Sequence, residues 1–204
     1  MGLISNGTTL LDAGSLDSGV ATGSMTLIKD VTISSGSANV TFVHGTSDVV
    51  LDSTYKVYVF KFINVHPQTD NHYFLCNFRD GGSNFDATKY TTFMRSHHLA
   101  NDSSEVAYIS GDDVNTATAD QRLANGVGNA ASESVSGTLT LYDPSNTTFQ
   151  KHFICRTQFT EASPGTTDVF VQGLIDVTAA VDGVLFKAGS GNLDSGNIKL
   201  YGIK

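Results

Sequence analysis

A group of histidines and an aspartate is the first candidate for chemistry in this sequence. His66, Asp70 and His72 lie close together in HPQTDNH, and His97 and His98 follow later in the chain. Imidazole nitrogen and carboxylate oxygen are ligands that Zn²⁺ uses in proteins. The spacing across a proline turn matches no recognised ligand pattern, so the sequence predicts solvated loop residues and no metal site. A pH-sensitive imidazole pair at a subunit interface is the alternative.

Oxygen ligands for calcium form a second candidate group. Asp80, Asn84 and Asp86 lie in RDGGSNFD, and Asp112 and Asp113 lie further along the chain. Calcium prefers such hard ligands, but the ligand order and the terminal glutamate of an EF-hand are missing. The sequence favours ordinary turns here and leaves an irregular calcium loop as the alternative.

Four aromatic residues flank the DGGS turn, namely Tyr73, Phe85, Tyr90 and Phe93. Aromatic rings of this kind stack on sugars when they are exposed and fill the core when they are buried. Because they occupy positions in strand-like segments, we predict core packing, with a sugar-binding platform as the alternative.

Sequence motifs of common catalytic and cofactor sites do not occur. The chain has no GxSxG, no GxxxxGK[ST], no GxGxxG after a strand and no HExxH. We therefore expect no enzyme activity, no catalytic residues and no cofactor. A glycosidase carboxylate pair stays open at this stage, because the fold sets the separation of the two groups.

The charge of the chain excludes two classes of partner. The formal net charge is −8, and the 12 Lys and Arg residues are scattered singly along the chain. Binding to phosphate backbones or to anionic lipid needs a basic face, so we expect neither nucleic acid nor membrane as a partner. Charged residues make up only 16% of the chain. A weakly charged, hydroxyl-rich surface suits packed assemblies and sugar recognition.

The N-terminus and the two cysteines indicate the cellular compartment in which the protein is made. The opening MGLISNGTTLLDAGS lacks the basic and apolar regions of a signal peptide, so we expect synthesis and assembly in a cytoplasm. Cys76 and Cys155 lie in apolar strand patterns without CxxC spacing. They are predicted to be buried free thiols, with a disulfide as the alternative.

The segments that must position these groups have the residue patterns of β-strands. The segment from Tyr55 to Asn64, YKVYVFKFIN, places Tyr58, Phe60 and Phe62 on one face. Val57, Val59 and Ile63 on the opposite face predict a strand that is covered on both sides. The segment ends at a proline, which donates no ladder hydrogen bond.

Turn residues predict two hairpins. The first joins Ser24–Ser34 to Ala38–His44 through Ser35–Ser37, and the second joins Tyr73–Arg79 to Thr88–Arg95 through DGGSN. In the second hairpin, Phe74, Cys76 and Phe78 are expected to share one face.

The remaining pattern completes the predicted fold. Residues from His97 to Ser134 form a long irregular loop with one short strand at Val106–Ser110 and helical turns at Thr118–Asn125, and we expect partner contacts there. Further strands are predicted at Ser136–Tyr142, Thr148–Thr157, Asp168–Val177, Gly183–Ala188 and Asn197–Ile203. We predict an all-β, antiparallel two-sheet β-sandwich, jelly-roll-like, with about ten strands. Residues 1–22 are predicted to be a polar arm and residues 23–204 a single domain.

Three segments carry a resemblance to a known group of proteins: YKVYVFKFINVHPQTD, FRDGGSNFDATKYTTFMRSHH and SGNLDSGNIKLYGIK. Through them, and through the opening MGLISNGTTLLDAGSLDSG, essentially the whole chain resembles uncharacterised virion structural proteins of marine tailed bacteriophages. The resemblance implies a small β-sandwich that decorates or cements the phage head, or that forms the head domain of a tail fibre or appendage.

Physical considerations favour the first of these roles. A cement protein acts in many copies and uses a loose terminal arm to bridge capsomers, whereas tail shafts need heptads or repeats that this chain lacks. We therefore expect capsid decoration in the virion, with the major capsid protein or other virion proteins as partners. A homo-oligomer is expected, with a trimer favoured. Recognition of a host-surface glycan by a tail appendage is the alternative.

Overall fold

Every regular element among the described residues is a β-strand. The computed structural model describes residues 3–5, 8–12, 15–16 and 24–204. The strands are β1 (Leu3–Ser5), β2 (Thr8–Asp12), β3 (Ser15–Leu16), β4 (Met25–Thr32), β5 (Val40–Val43), β6 (Val57–Pro67), β7 (His72–Arg79), β8 (Lys89–Leu99), β9 (Ser104–Tyr108), β10 (Asn115–Ala117), β11 (Gln121–Val127), β12 (Val135–Tyr142), β13 (Lys151–Thr160), β14 (Gly165–Ile175), β15 (Gly183–Ala188) and β16 (Leu193–Ile203). β-Branched and aromatic residues dominate the long strands, as the pleated conformation favours.

Two antiparallel sheets build the sandwich. The large sheet has nine strands in the order β10-β8-β14-β13-β12-β6-β16-β4, with β9 paired to β8. The small sheet has four strands in the order β11-β7-β15-β5. From β4 to β8 the chain alternates between the sheets, a path typical of jelly-roll-like sandwiches. The predicted fold class is confirmed, with more strands than the ten expected.

The N-terminal segment has strands of its own. β1, β2 and β3 form a three-stranded antiparallel sheet in that order, in which Leu11 pairs with Leu3 and with Leu16. The rest of the predicted arm, and its boundary at residue 22, lie outside the described residues. The arm itself stays a prediction.

Phe186 of β15 occupies the centre of the core. Its ring centroid lies 6.2 Å from Phe42 and 6.0 Å from Phe74, both in the small sheet. It also lies 5.3 Å from Phe60 and 5.0 Å from Phe62, both in the large sheet. Edge-to-face and stacked pairs at these distances add to the stabilisation from burial. Phe186 therefore joins the inner faces of the two sheets.

Both predicted hairpins are wrong. β4 pairs with β16 in the large sheet, while β5 pairs with β15 in the small sheet. β7 likewise belongs to the small sheet and β8 to the large one. The same turn residues, such as Gly36 with φ of 86°, serve a crossover between sheets as well as a hairpin. The predicted faces are correct, because Phe74, Cys76 and Phe78 are all buried.

The predicted irregular loop from His97 to Ser134 contains more strand than expected, over nearly half of its length. β8 continues to Leu99, and β9, β10 and β11 follow within the segment. The predicted helical turns at Thr118–Asn125 are wrong, because β11 pairs with β7 through an irregular register. This pairing buries Leu123 and Val127 in the core, and such tertiary contacts override a local capping preference.

β6 departs from its predicted form in two ways. It continues past Asn64 and ends at Pro67, where its pairing with β16 is irregular. Its inner face is buried as predicted, but the opposite face is only partly covered, since Val59 is 7% exposed and Ile63 is 41% exposed. Asn64 has φ of 49°, and this local bulge shifts the alternation so that Val65 is buried again.

Cys76 and Cys155 are free and buried, as predicted. Cys76 lies on β7 and Cys155 on β13, so the two thiols come from different sheets. Burial raises the pKa of Cys76 to about 12 and raises that of Cys155 well above its ordinary value. The thiol is the form that folding stabilises at both positions.

We expect these thiols to make the fold sensitive to alkali. An unfolded thiol ionises near its ordinary pKa of 9.0, whereas Cys76 in the fold ionises near 12. The stabilisation is therefore fully present below pH 9 and is lost as pH rises toward 12, by about 1.4 kcal/mol per pH unit for each thiol. Urea unfolding from about pH 8 to about pH 11 measures this slope.

A double variant, Cys76→Ala with Cys155→Ala, isolates the thiol contribution. Burial lowers the pKa of Lys89 and of Lys151, so these lysines give the opposite slope in both proteins. Cys76 opposes the lowering of the Lys89 pKa, so its removal strengthens this opposite slope and adds to the expected difference. The free energy of unfolding of the variant should fall less steeply with pH than that of the parent. Equal slopes would contradict the assignment.

Candidate interaction surface

The outward side of the large sheet is the widest continuous surface of the sandwich. Residues paired across neighbouring antiparallel strands point to the same side. One row runs through Tyr90, Leu174, His152, Tyr142, Val57, Ile203 and Met25. The next row runs through Thr92, Gln172, Ile154, Thr140, Val59, Tyr201 and Leu27.

Ten apolar side chains in these two rows form what we call the apolar band. They are Met25, Leu27, Val57, Val59, Tyr90, Tyr142, Ile154, Leu174, Tyr201 and Ile203. Seven strands at about 4.8 Å spacing make the band about 30 Å long. Single exposed apolar residues are ordinary, but a contiguous stripe on a folded domain marks an interaction site.

Exposure varies along the apolar band. Leu27 is 50% exposed at one end and Tyr90 is 40% exposed at the other. Tyr142 and Ile154, on the central strands, are 39% and 38% exposed, whereas Val59 on β6 is only 7% exposed. Nine of the ten side chains are therefore at least partly accessible.

A polar depression adjoins the apolar band on the same face. This polar trough has a volume of about 630 Å³ and is lined by residues that include Lys61, Ser96, Thr138, Arg156, Gln158 and Asp168. Arg156 Nε donates to Asp168 Oδ1 at 2.8 Å, and this contact raises the pKa of Arg156. The Lys61 ammonium lies 5.4 Å from the ring centroid of Tyr201. Hydroxyl, amide and internally paired charged groups thus border the apolar stripe.

The strand β4 forms one edge of the large sheet. Its outward residues Met25 and Leu27 belong to the apolar band, and Lys199 of β16 reaches Asp30 at 2.8 Å. An edge strand offers backbone hydrogen-bonding groups for pairing with another chain. Among the described residues, no strand pairs with the outer side of β4, where the apolar band ends.

The structure separates the candidate metal ligands. His66 Nδ1 lies 3.6 Å from Asp194, His97 Nδ1 lies 4.0 Å from Glu161, and His98 Nε2 lies 3.1 Å from Asp102. In the part of the chain that the structure describes, no three histidine, cysteine or acidic side chains are placed to hold a metal ion. These three imidazoles each have their own acidic neighbour, whereas His72 Nδ1 accepts from the Tyr73 backbone N–H at 3.0 Å.

The candidate calcium ligands also make separate contacts. Asp112 is buried and contacts Arg122 and Asn125. Asp113 accepts a hydrogen bond from Tyr108. The negative charges of Asp80 and Asp86 favour the charged form of the buried Lys89 ammonium, so they oppose the lowering of its pKa by burial. The pair Asp112 and Asp113 therefore serves structural contacts, and only Asp112 borders a cleft.

The four aromatic residues near the DGGS turn have different environments. Phe93 is completely buried, which confirms core packing there, and Phe85 is half-buried. Tyr73 packs against the Arg122 guanidinium with 4.0 Å from Cζ to the ring centroid. Tyr90 points outward in the apolar band, so the prediction of core packing is wrong for Tyr90.

Most of the apolar band was not singled out by sequence patterns. Residues of β13 alternate between buried and exposed from Lys151 to Phe159, and Ile154 is the apolar residue among the exposed set. Within β13, this one apolar residue at an outward position was the sequence signal for the apolar band. The rows appear only when the strand order and register are known, because the outward residues come from distant parts of the chain.

Among the described residues there is no helix long and apolar enough to span a membrane. Comparison of the chain with protein-family models, curated proteins and solved structures finds no match.

Proposed function

We propose that this protein is a bacteriophage virion structural protein that decorates the outer surface of the head shell. The apolar band carries the proposal, because apolar side chains in two adjacent rows form a surface for protein contact. The resemblance to phage virion proteins supplies the biological setting. The proposed role is structural, without catalysis or a cofactor.

The size of the apolar band fits a protein that binds in many copies. Seven strands and two rows cover about 400 Å², whereas each side of a standard interface buries about 800 Å². One such contact is weak unless the polar trough or the open β4 edge adds to it. Repetition over a symmetric shell, or assembly into a trimer, multiplies weak contacts into firm attachment.

The proposed partner is the major capsid protein or a neighbouring virion protein. With a net charge of −8, the chain is a poor ligand for nucleic acid or anionic lipid, which supports a protein partner. The described strands β1, β2 and β3 precede the β4 edge, so the N-terminal segment enters the fold beside the apolar band.

A cryo-electron density map of the purified phage particle tests the proposal. We expect density for this sandwich in many copies on the outer shell, with the apolar band facing the capsid protein. Density found only on the tail would overturn head decoration in favour of the appendage role. Absence of the protein from the particle would overturn a virion function.

A further inference from the structure

A second concave site lies where β8 extends beyond the core. Phe93, Arg95 and His97 share the inner side of this regular strand, and Phe93 marks the core. Beyond Phe93, a cleft of about 340 Å³ is lined mainly by Asn71, Tyr73, Arg95, Asp112, Asn125 and Glu161. None of these residues belongs to the apolar band or the polar trough.

Buried polar atoms without hydrogen-bond partners gather at this cleft. Within the described residues they include Arg95 Nε and Asn125 Oδ1, which belong to lining residues. His97 Nδ1 is a third, and it lies 4.0 Å from Glu161 Oε1, beyond hydrogen-bond distance. Buried polar groups are normally satisfied, so these atoms can pair with water or with a polar ligand at the cleft.

The formal charges around the cleft already have partners. Arg95 donates to Glu105 Oε2 at 2.9 Å, Asp112 accepts from Arg122, and Glu161 accepts from Thr167. An anionic ligand would approach two carboxylates, and a cationic ligand would approach the Arg95 guanidinium. The mixture disfavours both kinds of ion.

The unsatisfied atoms match hydroxyl groups instead. Arg95 Nε can only donate a hydrogen bond, and Asn125 Oδ1 can only accept one. A sugar hydroxyl does both, so adjacent hydroxyls of one ring can serve the two atoms. Tyr73 supplies an aromatic wall for sugar C–H groups, and its ring is fixed by the Arg122 guanidinium.

A glycine forms part of the cleft wall. Gly126 has φ of 82°, a backbone conformation that favours glycine. The volume of the cleft lies at the lower end of the range for small-ligand sites, about 300–1,000 Å³. We propose that this cleft binds a neutral mono- or disaccharide unit of a glycan, wherever on the particle the protein sits.

Saturation-transfer NMR on the full chain tests this site with named probes. The probes are glucose, galactose, mannose, N-acetylglucosamine, lactose and maltose at millimolar concentration. We expect at least one to bind and to shift the amide resonances of Asn71 and Gly126. Absence of binding by all six, or shifts confined to other residues, would overturn the proposal.

Two substitutions test the assigned groups, Arg95→Gln and Asn125→Ala. Each should weaken binding of the responding sugar at least tenfold, while near-ultraviolet circular dichroism reports the intact fold. Arg156→Gln is the matched control, because Arg156 pairs with Asp168 on the opposite face of the sheet and should leave binding unchanged. Binding that survives both cleft substitutions would overturn the assignment. If a variant unfolds, the amide shifts of the parent protein on sugar binding test the site instead.

Discussion

Replacing Phe186 with alanine lowers the free energy of unfolding by about 4 kcal/mol. Phe186 is completely buried and contacts aromatic rings from both sheets. The substitution removes apolar burial and leaves a cavity that surrounding rings fill only partly. A domain of this kind has about 5–15 kcal/mol in total, so a large share of its stability is lost. Urea denaturation and calorimetry measure the change.

Phe149→Ala is the matched control for this prediction. The same side chain is removed, but Phe149 is 70% exposed, so we expect a change below about 0.5 kcal/mol. A loss under about 1 kcal/mol at Phe186, or equal losses at both positions, would mean that the aromatic cluster does not hold the sheets together.

We expect two negative charges in the apolar band to weaken the proposed binding to the head shell strongly. Leu27→Glu with Ile154→Glu changes two residues of one row, both at least 38% exposed. Each carboxylate would have to be desolvated against an apolar partner surface, so binding weakens by at least about 100-fold. The fold itself should keep its stability within about 1 kcal/mol. Cosedimentation with shells that lack the protein measures the binding.

Asn39→Glu with Thr41→Glu is the control for added charge. Both residues are exposed, and Thr41 lies on β5 in the small sheet. This variant carries the same net charge as the first but leaves the apolar band intact, so shell binding should match that of the parent. If both variants bind like the parent, then the apolar band is not the attachment surface. If both lose binding, then the effect is due to net charge.

Strand positions follow from local patterns, but strand partners do not. The prediction for Gly183–Ala188 agrees with β15 to the residue, because alternation and flanking turns define a strand locally. The partner of β4 is β16, and the Asn197 and Thr32 side chains that bond across this pair are 165 residues apart. A turn rich in glycine and serine starts a hairpin or a crossover equally well, so both predicted hairpins were wrong.

Buried lysine is a second feature that no pattern predicts. Lys151 is 1% exposed and occupies an inward position of β13. Its ammonium donates to the carbonyl oxygens of Val177, Thr178 and Ala179 at 3.2, 2.8 and 2.5 Å. Lysine is almost never fully buried, so the residue type alone would predict that this position is exposed. The distant loop that satisfies it is known only from the fold.

The cleft shows why sites of this type escape sequence reasoning. Arg95 lies on β8, Asn125 on β11 and Glu161 in the segment after β13. No two of them are near in sequence, and none belongs to a catalytic or metal motif. The segment that carries Asn125 was predicted to be helical, which would have placed its side chain elsewhere. Tyr73 is the one cleft residue that the sequence marked as a sugar-stacking alternative.

Pairing between β4 and β16 also affects how the protein is made. Met25 pairs with Ile203, so the large sheet cannot be completed until Ile203 has been translated. At about 5–20 residues per second, β4 waits about 10–35 s for its partner strand. During that interval apolar strands have open edges at which nascent chains can aggregate. The yield of folded protein therefore depends on the rate of translation and on chaperone capacity, in addition to native-state stability.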